Sequence, residues 1–334
     1  MEQGVRRIGN LFDRLVSFEN LYGAAGRAMK GSKGKREASR FFFHLESELL
    51  RIQKELDNRT YTPGAYHYFK VYEPKERIIS VAPFRDRVVH HALVSVLEPI
   101  YEKVFIFDSY ATRKDKGTHR AIARAQSFLQ QKTFYLKADI EKYFPSMDHA
   151  VLLQMIGRKI KDKKILWLVE RIVKNSGEKG LPIGNLTSQF FANVYLDAFD
   201  HYIKDTLGLG CYLRYMDDFV VFSNNKAELK TVLKKAELFL HERLHLRLKQ
   251  RACRINTRLH GLSFLGVRIF PSLIRVRREN LGRTLAKIKH RQWQLALGYI
   301  DEEECSQSLM SLIGHLQSYN THELMRSMLR GQLS

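Results

Sequence analysis

The chain has 334 residues, 44% of them hydrophobic, an ordinary globular composition that can bury a substantial core over two or three subdomains. Its 56 Lys and Arg against 35 Asp and Glu give a formal charge of +21. That favours a polyanionic partner, and nucleic acid fits better than a membrane, because no apolar run is long enough to span and neither terminus is a strongly amphipathic basic segment. Cys211, Cys253 and Cys305 are too few and too far apart for a disulfide framework or a zinc site, so the chain reads as cytoplasmic. Met1-Glu-Gln-Gly-Val-Arg-Arg lacks the apolar core of a signal peptide, and the mature protein is expected to be the whole sequence.

From Leu11 to Leu21 apolar residues recur at helical spacing. Gly31-Ser-Lys-Gly-Lys-Arg36 then interrupts, either as a solvated loop or as a phosphate contact. Phe41, Leu45, Leu49, Ile52 and Leu56 share one face of a helix over 41–56. Strands over 66–72 and 77–81 are turned by Glu73-Pro-Lys-Glu76, which places Lys75 and Arg77 at or just beyond the tip. One helix opens at Phe84. Another starts at Gly117-Thr118, a pair that serves either as a cap or as backbone N–H donors to phosphate. Helical patterns over 151–160 and 165–173 lead to the Gly/Pro loop Gly180 to Gln189, which is either a plain helix start or a place where a base can approach the backbone closely. Lys226 to Leu244 is a helix with Leu229, Val232, Leu233, Ala236 and Leu240 on its core face. Pro271-Ser272 closes a hairpin, and two or three helices complete the chain, the first carrying Arg283, Lys287, Lys289, His290 and Arg291.

Two β-like runs bring carboxylates with them. Cys211-Tyr-Leu-Arg214 and Phe219-Val-Val-Phe222 flank Tyr215-Met216-Asp217-Asp218 as the strands of a hairpin, with both aspartates expected at its turn. By itself Asp-Asp reads as well as a polar turn. A second run, Thr133-Phe-Tyr-Leu-Lys-Ala-Asp139, also ends on a carboxylate, and two such strands can bring three carboxylates to one sheet edge. Crowded, dehydrated carboxylates repel one another and need compensating positive charge. A pair of Mg²⁺ ions meets that need, and two such ions can clamp the attacking and leaving oxygens of an in-line phosphoryl displacement.

With these segments the chain resembles a reverse transcriptase from about Tyr61 to Pro271, motifs in the expected order. The resemblance implies an α+β right-hand polymerase fold of fingers, palm (an antiparallel sheet with helices on one face) and helical thumb. The expected division is N-terminal region and fingers 1–115, palm 116–149, fingers insertion 150–185, palm again 186–272 and thumb 273–334. It also implies an RNA-directed DNA polymerase in which Asp139, Asp217 and Asp218 are catalytic and, with Ile140, hold two Mg²⁺ ions. Lys75, Arg77, Phe144 and Lys249 would meet the incoming dNTP, with Arg77 and Lys75 on a hairpin that is otherwise a solvated turn. The Phe144 ring, otherwise a core residue, would pack under the sugar and leave no room for a 2′-hydroxyl. Ile183, Gly184, Gln189, Tyr215, Met216 and the turn Phe264-Leu265-Gly266 would contact the RNA template and the primer–template duplex. The basic thumb would follow the duplex backbone.

Within the family, Ile183-Gly-Asn-Leu-Thr-Ser-Gln189 is similar to the loop of reverse transcriptases from diversity-generating retroelements. Retroviral and group II intron enzymes usually carry Gln-Gly where Ile183-Gly184 stand. The likeness implies copying of a template-repeat RNA with errors at adenines, for retrohoming into a variable repeat, and a small basic ring-forming accessory protein as partner. The expectation that the chain ends at Ser334, without RNase H, endonuclease or integrase domains, points the same way. A related bacterial reverse transcriptase serving phage defence is the enzyme alternative, and a non-catalytic RNA-binding protein of the same fold the other.

Overall fold

Helices α1 (Phe12–Val16), α2 (Phe18–Met29) and α3 (Arg36–Phe43) pack on a long helix, α5 (Phe84–Tyr101), and α4 (Leu45–Asp57) packs on α2. These positions come from a computed structural model of the chain, which describes residues 7–32, 34–72 and 76–317. The single helices expected over 11–21 and 41–56 are each broken once. Ser17 leaves helical dihedrals and its side-chain oxygen accepts the Asn20 N–H, capping α2, while His44 closes α3 through an N–H bond to the Phe41 carbonyl. A favourable cap outweighs one turn of continuous helix, and the apolar spacing survives because both halves face one core. Leu15, Leu21, Phe41, Leu49, Ile52 and Leu56 are all buried, each worth roughly 1.5–3 kcal/mol of transfer free energy.

Strands β1 (His67–Tyr72) and β2 (Glu76–Val81) form the expected antiparallel hairpin, with Val71 opposite Arg77. Lys75, expected to meet the nucleotide, lies outside the described residues. The base of the hairpin docks on the Gly/Pro loop through a Ser80 N–H to Ile183 carbonyl bond of 2.7 Å. Gly184 sits there at φ 114°, and a Cβ on it would stand 2.9 Å from the Ser80 carbonyl oxygen. Only glycine tolerates both that dihedral and that approach.

The central sheet contains β3 (Phe134–Asp139), β4 (Tyr212–Tyr215), β5 (Asp218–Ser223) and β6 (Arg254–Thr257), antiparallel throughout, in the order β4-β5-β3-β6. Between β3 and β4 run α7 (Tyr143–Ser146), α8 (His149–Lys159), α9 (Lys163–Lys174) and α10 (Leu186–His201), while α6 (Thr118–Gln131) precedes β3 and α11 (Lys226–Leu244) follows β5. Side chains alternate along each strand. Leu136, Ala138, Phe219 and Val221 join the main core with α10 and α11, whereas Tyr135, Val220 and Phe222 meet Ile122, Ala125 and Phe128 of α6. The expected helical cover of one face is therefore joined by α6 on the other.

A second sheet, β7 (Leu262–Phe264), β8 (Val267–Ile269) and β9 (Ile274–Val276), shares that second core. Leu265 at φ 46° and Gly266 at φ 86° turn β7 into β8. Pro271-Ser272, expected to close this hairpin, instead turns β8 into a third strand, so the sheet continues past the boundary expected at 272. Helices α12 (Arg278–Ala296) and α13 (Glu302–Gln317) follow. Asn280 of α12 donates to the Gly266 carbonyl at 2.8 Å. No helix among the described residues is long and apolar enough to cross a membrane.

Candidate active site

Asp139 closes β3 directly opposite Asp218, the first residue of β5. Across the β4–β5 hairpin Tyr215 pairs with Asp218, which leaves Met216 and Asp217 as a two-residue turn. Asp218 is thus a strand residue rather than part of the turn, because pairing runs to the last possible register. Met216 takes φ 57° to close so tight a loop. The Ile140 N–H reaches the Asp217 carbonyl at 3.3 Å and ties the turn to the end of β3. Three carboxylates therefore stand at one sheet edge, on the adjacent strands β3 and β5 and on the turn that joins β4 to β5.

Their electrostatics show a shortage of positive charge. Burial, and then the Asp139 carboxylate beside it, hold Asp217 above the usual carboxylate range, and the Arg77 guanidinium only partly offsets them. Burial pushes Asp218 up to about 7 even though Lys137 Nζ lies 3.0 Å from its Oδ2. The other oxygen, Oδ1, is buried without a hydrogen-bond partner. An orphaned buried oxygen among crowded carboxylates is the donor set that a hard divalent cation satisfies. Among the described residues no three Asp, Glu, His or Cys side chains form a metal-holding cluster, since Asp218 is turned to Lys137 while Asp139 lies beside Asp217 and Lys249. The Ile140 side chain is hydrocarbon and buried, so the only group it could offer a metal is its main-chain carbonyl.

Several other expected residues converge here. Lys249 joins β3 through its N–H to the Asp139 carbonyl at 2.9 Å, and its Nζ stands 3.8 Å from Asp139 Oδ2. The Arg77 charge on the hairpin acts on Asp217 through space, favouring its ionised form. Phe144 is half-buried on α7, its ring centroid 5.6 Å from that of Tyr143. The Phe264 ring lies 5.9 Å from Lys137 Nζ, which places the Phe264-Leu265-Gly266 turn beside the carboxylate face. Tyr215 bonds through its hydroxyl to Thr118 at 3.1 Å. Ile183 and Gly184 contact the β1–β2 hairpin instead, and the half-buried Gln189 donates its N–H to Asn185 in the first turn of α10.

Sequence reasoning missed the groups that hold this edge in place. Arg214 is 0% exposed, paired to the equally buried Asp200 at 2.7 Å. It also donates to Asn193 Oδ1 at 3.2 Å and to the Met216 carbonyl at 3.0 Å. Tyr212 completes the network with a 2.6 Å bond to Asp200. The guanidinium thus grips the β4–β5 turn while Asp200 of α10 neutralises it. A charged residue on the core-facing side of an apolar strand was the available signal, since such a residue must have a buried partner. Lys137, two residues before Asp139 on the same strand face, was likewise legible by alternation.

The profile of the reverse transcriptase (RNA-dependent DNA polymerase) family matches residues 70–269, and the chain belongs to that family of RNA-directed DNA polymerases. It is 24% identical to protein YkfC of Escherichia coli K12, over 76% of this chain and 79% of that protein. It is also 24% identical to the group II intron-encoded protein LtrA of Lactococcus lactis, over 83% of this chain and 57% of LtrA, so it spans little more than half of LtrA's length. Among solved structures, telomerase of Candida tropicalis in complex with a TWJ fragment of telomeric RNA superposes with a TM-score of 0.51 at 13% identity, over 81% of this chain and 55% of that one. The likeness is one of fold, the right-hand polymerase arrangement of fingers, palm and thumb.

Proposed function

We propose that the chain copies an RNA template into DNA with two Mg²⁺ ions, Asp139, Asp217 and Asp218 being the catalytic carboxylates. The observation that carries this reading is the direct pairing of Asp139 with Asp218, with Asp217 in the adjoining turn. In the reaction the primer 3′-oxygen bonds to the α-phosphorus of a dNTP, the bond from that phosphorus to the β-bridging oxygen breaks, pyrophosphate leaves with the electron pair, and the hydroxyl proton is released. Bound among the carboxylates and the Ile140 carbonyl, Mg²⁺ supplies positive charge to the attacking and leaving oxygens. Arg77 and Lys249 hold the triphosphate, and Lys75 belongs with them. Primer extension on a defined RNA, with and without Mg²⁺, tests the reading; cDNA made equally well without a divalent cation overturns it.

Phe144 serves as the floor of the sugar pocket. Its removal in Phe144→Ala is expected to admit ribonucleotides, raising their incorporation relative to deoxynucleotides by roughly 10- to 100-fold, with deoxynucleotide use largely kept. An unchanged ratio in single-nucleotide kinetics would return Phe144 to a packing role.

The particular task we assign is that of a diversity-generating retroelement, in the cytoplasm of a bacterium or a phage host, with a small basic ring-forming accessory protein as partner. Support comes from the likeness of the loop 183–189. With the Ile183 carbonyl bonded to Ser80, the residue offers a template base only its apolar side chain, where a glutamine would offer a hydrogen bond. Losing one well-placed polar contact removes about 1–3 kcal/mol of discrimination, on the order of ten- to a hundredfold. The adenine bias is implied by the resemblance alone. Sequencing cDNA from wild type and Ile183→Gln is expected to show errors concentrated at template adenines in the first and fewer in the second. Rare, evenly spread wild-type errors would defeat the retroelement assignment and leave the polymerase standing.

A further inference from the structure

Beyond the carboxylate edge lies a cavity of about 510 Å³ whose lining includes Lys142, Lys179, Arg247, His241, His245 and Glu141. The backbone connects it to the site. Lys249 pairs with Asp139, Leu248 with Ile140, and the Glu141 N–H bonds to the Arg247 carbonyl at 2.8 Å. Arg247 therefore precedes Lys249 by two extended residues, about 7 Å further from the carboxylates. Lys142 turns the chain at φ 44°. Lys179 arrives from the opposite wall, where the neighbouring Gly180 N–H bonds to the Met147 carbonyl at 2.8 Å and the Leu181 N–H to the Phe144 carbonyl at 2.8 Å. His245 is held by Asp148, 2.9 Å from its Nδ1.

Three permanent cations face one carboxylate in this cavity. Among the described residues Lys142, Lys179 and Arg247 are committed to no ion pair within 4.0 Å, whereas Lys249 and His245 are. A concave surface of one sign concentrates field lines and selects compact, multiply charged anions over dilute ones. Arg247 and the lysines are also the donor types that suit phosphate oxygens.

We propose that this cavity is a polyphosphate site. It receives pyrophosphate as that anion leaves the carboxylate edge, and the same groups meet the triphosphate of the next nucleotide on its way in. The polymerase reading supplies the source of the anion; the cavity and its charge stand without it.

Calorimetric titration of the full chain, free of divalent cations, tests this with pyrophosphate, a deoxynucleoside triphosphate and a single-stranded RNA as separate arms. In the double variant Lys179→Gln/Arg247→Gln the pyrophosphate Kd is expected to rise at least about tenfold, while RNA affinity changes less than about twofold. The triphosphate arm separates the two sources: a parallel loss means that both anions use the cavity, an unchanged triphosphate Kd removes the inbound role. Lys179→Arg keeps the charge and is expected to keep the affinity. A pyrophosphate Kd unmoved by the double change overturns the proposal, as does a loss confined to RNA, which would make the surface a template contact. A wild type that binds pyrophosphate at this cavity yet never extends a primer would sink the polymerase reading and leave the site in place.

Discussion

Primer extension on an RNA template is expected to fall by a factor of roughly a thousand or more in Asp217→Ala, with substrate binding much less affected. The reason lies in where the charge develops. On the proposed mechanism both exchanging oxygens gain negative charge at the transition state, and cations held by this edge would offset it there. Asp217 occupies the turn between the strand that ends at Tyr215 and the strand that opens with Asp218, and on the proposed reading its loss removes one of the carboxylates that would hold the ions. The fold itself should not suffer, because carboxylates crowded at one edge repel one another and removing one relieves that repulsion. A thermal melt at or above the wild-type midpoint, together with lost extension, would separate chemistry from stability. Extension close to the wild-type rate by this variant would sink the site assignment.

Arg214→Met is expected to be the most destabilising single change near the site, by about 3–5 kcal/mol, since it leaves the fully buried Asp200 charged and unpaired. Urea unfolding measures this directly. Adding Asp200→Leu should recover most of that loss, because an ion pair replaced by apolar residues is often close to neutral. Activity should not recover with it. The double variant still lacks the donor to the Met216 carbonyl, so the turn that carries Asp217 is free to shift, and kcat should remain at least about tenfold down with KM nearly unchanged. A double variant with both stability and kcat restored would reduce Arg214 to a purely structural residue.

Much of the palm was legible because its strands are strongly marked. The runs ending at Asp139 and starting after Asp217 are β-branched and aromatic, and the helix over 226–244 was found at the expected residues. Strand β6 was not, because Arg254-Ile-Asn-Thr257 carries a single aliphatic residue and owes its extended form to pairing with β3. A four-residue edge strand has little pattern of its own. Strand β9, three residues long, escaped for the same reason. The breaks at Ser17 and His44 were hidden by continuous apolar spacing, since periodicity reports which face is buried and not where the backbone stops being helical. Least visible was the Arg214–Asp200 pair. Its members lie 14 residues apart on a strand and a helix, and nothing local joins them.

Helix α12 has no buried residue, and one of its described anchors is the Asn280 bond to the Gly266 carbonyl. A segment that buries so little apolar surface opens at low free energy. Its amide protons should therefore trade for deuterium long before those of β3 and β5, whose flanking side chains are sealed in two cores. Duplex nucleic acid lying along the basic face would supply the missing contacts, so the slowing of exchange across α12 would report substrate engagement without any turnover at all.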